Sequence, residues 1–316
     1  MLTQSKVASA TASIPMLAVL LWVNLLAADA PPPTPAPTPA VTSAPAADPA
    51  KPVVTTAAAD VVKKETWDYV ASSKEILKKF TGKEGVVVHF GDSITCANPY
   101  GQWARYGKGQ TEVDKAILKW MHCGAGNDTD GWYLAAKDMP GGRTCTASGG
   151  MTSQQFIEGG HGGLPKLDDL IKTYNPQMVV LMLGTNDASQ KRTADDFIKD
   201  MTTIIEKLHA NGTVVILSSV SPYIFNPKIV EGYNERLYQL AKEKKMPYLD
   251  YYGAILKLEP GTGWDGTIIT KHDAHPTANN ASAEPTDENF KLSGYLLRGW
   301  LSVQKIREVK EAVIGK

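Results

Sequence analysis

Four short stretches of this 316-residue chain hold residue types that can do covalent chemistry. Gly91-Asp92-Ser93-Ile94-Thr95 supplies a hydroxyl, and Ser148-Gly149-Gly150-Met151-Thr152-Ser153 a pair of glycines. Gly184-Thr185-Asn186-Asp187 adds an amide, and His272-Asp273-Ala274-His275-Pro276 two imidazoles and a carboxylate. A serine hydroxyl is a weak nucleophile and needs a base within hydrogen-bond reach. His275 is the candidate base, taking the Ser93 proton and later giving one to a leaving alcohol. A carbonyl attacked in this way becomes an oxyanion and needs preorganised donors. Each residue also has an ordinary reading. Ser93 can cap a helix, Gly149-Gly150 can form a turn, Asn186 can cap after a strand, and His275 can sit on a surface loop. The ordered set is what favours chemistry.

Such residues need a scaffold that brings them together. Residues 85–91 form a short apolar run, and residues 178–184 and 214–219 repeat it. Runs of this kind, rich in β-branched residues, read as buried strands. Residues 247–251 read as a weaker strand. Phe197, Ile198, Met201, Ile204, Ile205 and Leu208 mark one helical face; Val230, Tyr233, Leu237 and Leu240 mark another. Val61, Val62, Trp67, Val70, Ile76, Leu77 and Phe80 predict a helix over residues 60–80. Alternating strands and helices imply an α/β fold, a mainly parallel sheet covered on both faces. Ligands bind such sheets at the carboxyl ends of the strands, where Ser93 and Asn186 fall. Residues 96–148 show no clear period and read as a long loop region. There are no internal repeats.

With its motifs in this order and at these spacings, the sequence resembles the SGNH (GDSL) hydrolase family over residues 84–302. The resemblance implies a flavodoxin-like three-layer αβα sandwich and a serine esterase with no cofactor. It implies three oxyanion donors: the Ser93 N–H, a glycine N–H best matched by Gly150 with Gly149 as its neighbour, and the Asn186 side-chain amide. The family places an orienting aspartate three residues before the histidine. Here that position is His272, and Asp273 stands only two before His275. A one-residue shift moves a carboxylate by about 3.5 Å. Asp273 must then reach His275 through a reshaped turn, or a backbone carbonyl or His272 holds the ring instead.

Composition narrows the rest. Lys plus Arg and Asp plus Glu both total 33, so net charge gives no pull toward nucleic acid or anionic lipid. The Gly-x-Ser-x-Gly elbow is absent around Ser93, which speaks against the α/β-hydrolase fold. No phosphate loop or dinucleotide fingerprint occurs. His272, Asp273 and His275 are spaced too tightly to read as a metal site. Cys96, Cys123 and Cys145 are odd in number, so at least one is unpaired and one disulfide is an even expectation. Tyr100, Trp103, Trp132, Tyr133 and Trp264 fall where they could border a cleft, or pack the loops.

The N-terminus reads as an address. Lys6 precedes an apolar stretch, residues 14–27, with alanines at 27, 28 and 30. This is the layout of a secretory signal over residues 1–30, too short for a spanning helix. Residues 31–58 are Pro, Ala and Thr-rich and read as a polyproline-type linker. The folded domain is then expected over 59–316, secreted or in the periplasm or cell envelope, with no stable membrane insertion after signal removal. Asn127, Asn211 and Asn280 head Asn-x-Ser/Thr sequons. The expected partner is a small ester or an acetylated polysaccharide. A glycan-binding protein on the same fold and an acyltransferase using the same residues are the competing readings.

Overall fold

The computed structural model describes residues 65–137 and 145–315. The expected signal and linker over residues 1–58, the domain start at 59, and Val61 and Val62 lie outside the described residues. Four strands form one parallel sheet in the order β1-β2-β3-β4. They are β1 (Val87–Gly91), β2 (Met178–Met182), β3 (Val214–Ser218) and β4 (Tyr248–Leu249). Val87 pairs with Met178 and Met178 with Val214. Beyond β1, isolated parallel bridges stand where another strand would, joining Val87 to Asp130, Val88 to Gly131 and Gly91 to Ala147.

The helices, in chain order, are α1 (Val70–Leu77), α2 (Ser93–Cys96), α3 (Gln102–Tyr106), α4 (Glu112–Trp120), α5 (Gly131–Ala135), α6 (Ser153–Glu158) and α7 (Leu167–Tyr174). They continue as α8 (Thr185–Ser189), α9 (Ala194–Ala210), α10 (Pro227–Glu243), α11 (Tyr251–Leu258), α12 (Asp287–Leu292) and α13 (Gly294–Val309).

Successive strand side chains point to opposite faces, and two separate cores record this. Val87, Val180, Met182 and Ile216 join Ile117, Ile255, Leu297 and Leu301 from α4, α11 and α13. Val88, Phe90, Val179, Leu181 and Leu217 join Phe156, Leu170, Phe197, Ile204, Val230 and Leu237 from α6, α7, α9 and α10. Every residue of β1, β2 and β3 is buried, so these strands are near-continuous apolar runs, interrupted only by His89 and Ser218. The result is an α/β protein with a parallel sheet between two helical layers. Burying a Leu, Ile or Phe side chain contributes about 1.5 to 3 kcal/mol, so both layers hold firmly to the sheet. Among the described residues no helix is long and apolar enough to cross a membrane.

Two expectations need correction. The first helix starts only at Val70, since residues 65–69 are not helical. The stretch after residue 96 is built largely of short helices, α3, α4 and α5, of which α3 and α5 are too short to display a period. Of the aromatic residues that could border a cleft or pack the loops, four are packed: Tyr100, Trp103, Trp132 and Trp264 are at most 3% exposed. They fill the layer beside β1, where the His89 ring lies 3.9 Å from that of Trp132 and 5.2 Å from that of Tyr100. No disulfide joins Cys96, Cys123 and Cys145, so the bridge held at even expectation is not formed.

Candidate active site

The turn that carries Ser93 starts where β1 ends. A Cβ on Gly91 would lie 2.1 Å from Thr95 Oγ1 and 2.6 Å from the Met182 carbonyl oxygen, so only hydrogen fits there. Asp92 caps α2, its Oδ1 accepting the Ile94 N–H at 3.0 Å, and Ser93 is the first residue of that helix. From below, the buried Arg298 of α13 donates through Nη1 to the Ile94 carbonyl at 2.8 Å and through Nη2 to Thr95 Oγ1 at 2.9 Å. Its guanidinium carbon lies 3.9 Å from the centre of the Tyr100 ring. Burial pushes the Asp92 carboxyl up to about 6, although the Ile94 N–H and the Arg298 charge oppose this.

The second turn carries the imidazole. His275 Nε2 lies 2.8 Å from Ser93 Oγ, and Nδ1 lies 2.9 Å and 3.0 Å from the two oxygens of Asp273. The reshaped turn is visible. The Asp273 N–H donates to the Thr270 carbonyl at 3.0 Å, and the Thr270 N–H donates to the His275 carbonyl at 2.8 Å. Ile269 and Pro276 form an antiparallel bridge below. The chain reverses at Lys271–His272 and bends through Asp273–His275, which closes the gap that a two-residue spacing would leave. His272 does not hold the ring; its Nε2 faces Asp265 Oδ2 at 3.8 Å.

Burial works to raise the Asp273 carboxyl, but hydrogen bonds from the His275 ring and the Ala274 N–H, 2.7 Å away, outweigh it and hold the group below its ordinary value. An ionised carboxylate can only accept. The Nδ1 proton therefore points to Asp273, and the Nε2 lone pair is left for the Ser93 hydroxyl.

The third wall is the glycine loop before α6. A Cβ on Gly149 would come within 3.8 Å of Ser93 Cβ, which sets this loop against Ser93. Gly150 has φ +77°, a backbone region that favours glycine. The Gly149 carbonyl lies 2.8 Å from His161 Nε2. A peptide carbonyl and the following N–H point in opposite directions, so tying back this carbonyl turns the Gly150 N–H the other way. Among the described residues, neither the Ser93 N–H nor the Gly150 N–H donates to a protein group. Asn186, from the start of α8, donates through Nδ2 to the Met151 carbonyl at 3.0 Å and to Asp92 Oδ2 at 3.3 Å. Donation to a bound substrate must replace one of these, the longer being the weaker.

Several supporting residues escape the motif reading. Asp187 is fully buried; it accepts from Ser153 Oγ at 2.7 Å and pairs with Arg192 at 2.6 Å, which also holds Asp200 at 2.8 Å. This network ties the Asn186 turn to the start of α6. Asp187 stands inside a quoted motif, and its burial is the missing information. Arg298 is visible as a lone cation in the apolar stretch 294–301. Nothing in the sequence singles out His161 or Asp265. Among the described residues, no group of three or more His, Cys, Asp or Glu is placed to hold a metal ion.

A parallel α/β sandwich with Ser, His and Asp in hydrogen-bonded series at the carboxyl ends of its strands defines a class, that of the SGNH fold. The GDSL-like lipase/acylhydrolase family model matches residues 89–279, more than half of the chain, and the chain belongs to that family. No match is found among curated proteins. Among solved structures, a putative lipolytic protein of the G-D-S-L family from Desulfitobacterium hafniense is 17% identical with a TM-score of 0.46, over 69% of this chain and 98% of its own. A GDSL-like lipase from Bacteroides thetaiotaomicron is 19% identical with a TM-score of 0.46, over 76% and 99%. A carbohydrate esterase family 3 protein from Talaromyces cellulolyticus is 16% identical with a TM-score of 0.45, over 70% and 98%.

Proposed function

We propose that this protein is a secreted serine esterase that hydrolyses small ester bonds through an acyl-enzyme on Ser93, with the short acyl groups of an acetylated polysaccharide as substrate. The observation that carries the reading is the unbroken series Ser93 Oγ–His275 Nε2 at 2.8 Å and His275 Nδ1–Asp273 Oδ1 at 2.9 Å. The steps follow from it. His275 Nε2 takes the Ser93 proton as Oγ bonds to the ester carbonyl carbon. The carbonyl oxygen gains a negative charge and is met by the Ser93 and Gly150 N–H groups and the Asn186 amide. Asp273 stabilises the imidazolium that has formed. The tetrahedral adduct collapses, the carbon–alkoxy bond breaks, and His275 returns its proton to the alcohol. Water, deprotonated by the same nitrogen, then attacks the acyl-Ser93 ester and frees the acid.

The polysaccharide part of the reading is supported at the rim of the site. Phe225 is 63% exposed, unusual for so large an apolar ring. Its centroid lies 6.4 Å from that of His272 on the catalytic turn and 5.6 Å from that of Tyr223. A flat apolar face at this position suits the face of a sugar ring. The apolar stretch at residues 14–27 supports secretion.

The test is hydrolysis of p-nitrophenyl acetate and acetylated xylan by the purified protein beside Ser93→Ala. Activity on both that falls about 10,000-fold or more in the variant is expected. Equal rates in the two proteins would overturn the reading. Turnover only when an acceptor sugar is supplied would replace hydrolysis by acyl transfer.

A further inference from the structure

The catalytic turn contains a left-handed residue that is not glycine. His272 has φ +56°, a region that costs an L-residue through contact of its Cβ with the backbone. It occupies the third position of the turn Thr270–Asp273, closed by the Asp273 N–H to the Thr270 carbonyl at 3.0 Å. Lys271 before it has no positive φ. Positive φ at the third position alone is the type II pattern, in which that place belongs to glycine or asparagine. The His272 side chain gains little in return, being 65% exposed.

Asp265 is what holds this conformation. Its Oδ1 accepts the His272 backbone N–H at 2.7 Å, and its carboxylate is 13% exposed. Asp265 is itself fixed by a bridge to Ile269 at the foot of the turn. A charged acceptor on a backbone N–H is about twice as strong as a neutral one. The left-handed residue lets Asp273 reach the His275 ring from two positions away, so the same bond that holds His272 sets the Asp273–His275 geometry.

On the reading of Asp273 and His275 proposed above, we infer that Asp265 is a positioning residue for the catalytic turn: its carboxylate holds the His272 backbone left-handed and so aims Asp273 at His275. Asp265 touches neither His275 nor Ser93. Its effect is therefore on kcat, through misplacement of the base, with KM unchanged.

The experiment compares the full chain with Asp265→Ala, with the double variant Asp265→Ala/His272→Gly, and with Ser93→Ala. Thermal unfolding is measured first, so that a variant that has lost its fold is recognised. Misplacing a catalytic group by about 1 Å costs about 100-fold, and that fall in kcat is expected for Asp265→Ala. Glycine removes the Cβ contact, so the double variant recovers about tenfold. A residue needed only for folding would lower thermal stability and gain nothing from glycine at 272.

The low-field proton NMR signal of His275 Nδ1–H gives a readout independent of any ester. It is expected to broaden in Asp265→Ala and to sharpen again in the double variant. Wild-type kcat and an unchanged signal in Asp265→Ala would overturn the inference, as would a double variant no better than the single one. If the native chain is no faster than Ser93→Ala, the esterase reading fails, and the NMR comparison still decides the role of Asp265.

Discussion

Asp92 and Asp273 stand on the two turns that meet at Ser93 and His275, and their surroundings drive them in opposite directions. Asp92 is fully buried beneath Ser93, and desolvation lifts its carboxyl to about 6. Asp273 has a side chain 44% exposed, and its hydrogen bonds to the His275 ring and the Ala274 N–H hold it below its ordinary value. The first carboxylate shapes a peptide turn and contacts the Asn186 amide. The second directs a ring. Burial goes with the carboxylate that shapes a turn, whereas hydrogen bonds from the His275 ring and the Ala274 N–H keep the other carboxylate charged and acceptor-only.

The largest expected effect comes from neutralising the exposed member. Asp273→Asn removes the charge opposite the imidazolium and offers an amide that can present a donor to Nδ1. A fall in kcat of about 1000-fold or more is expected, read from steady-state kinetics on p-nitrophenyl acetate. A change under tenfold would make the series a Ser–His pair.

The buried side is tested next through Arg298. Replacing it by Met in Arg298→Met leaves the Ile94 carbonyl and Thr95 Oγ1 without their donor. Urea unfolding should show a loss of about 3 kcal/mol. No loss would mean that the Ser93 turn stands without its cation.

The smallest effect concerns Asp92 and pH. Its folded value is above that of an unfolded aspartate, so the folded state favours the protonated form. That stabilisation is complete below about pH 4 and is lost as pH rises through about 6. Asp92→Asn cannot ionise. Its stability relative to the native chain should therefore rise between pH 4 and pH 8 by about 2 kcal/mol, measured by unfolding at each pH. A flat difference would mean that Asp92 stays ionised in the fold at little cost.

The sequence discloses the sheet because β1, β2 and β3 are buried on both faces and are therefore mostly apolar. It discloses α9 and α10 because seventeen residues each give a period time to show. Helices of four or five residues such as α2, α3 and α5 give none. Ser93, His275 and Asn186 stand out because their motifs are compact. The approach of Asp273 depends on a backbone reversal at His272 that no residue preference announces. The burial of Tyr100, Trp103 and Trp132 likewise depends on what packs beside β1, which lies far away in sequence. The absence of a disulfide among Cys96, Cys123 and Cys145 follows from placement too, since spacing along the chain does not say which side chains meet.

Arg298 reaches Ile94 across 204 residues. At a synthesis rate of about 5 to 20 residues per second, roughly 10 to 40 s separate the two residues on the ribosome. Asp273 and His275 also emerge late. A nascent chain that has already made β1, β2 and β3 carries Ser93 without its cation, its base or its carboxylate. The turn that carries Ser93 can gain the Arg298 cation only after α13 has been made.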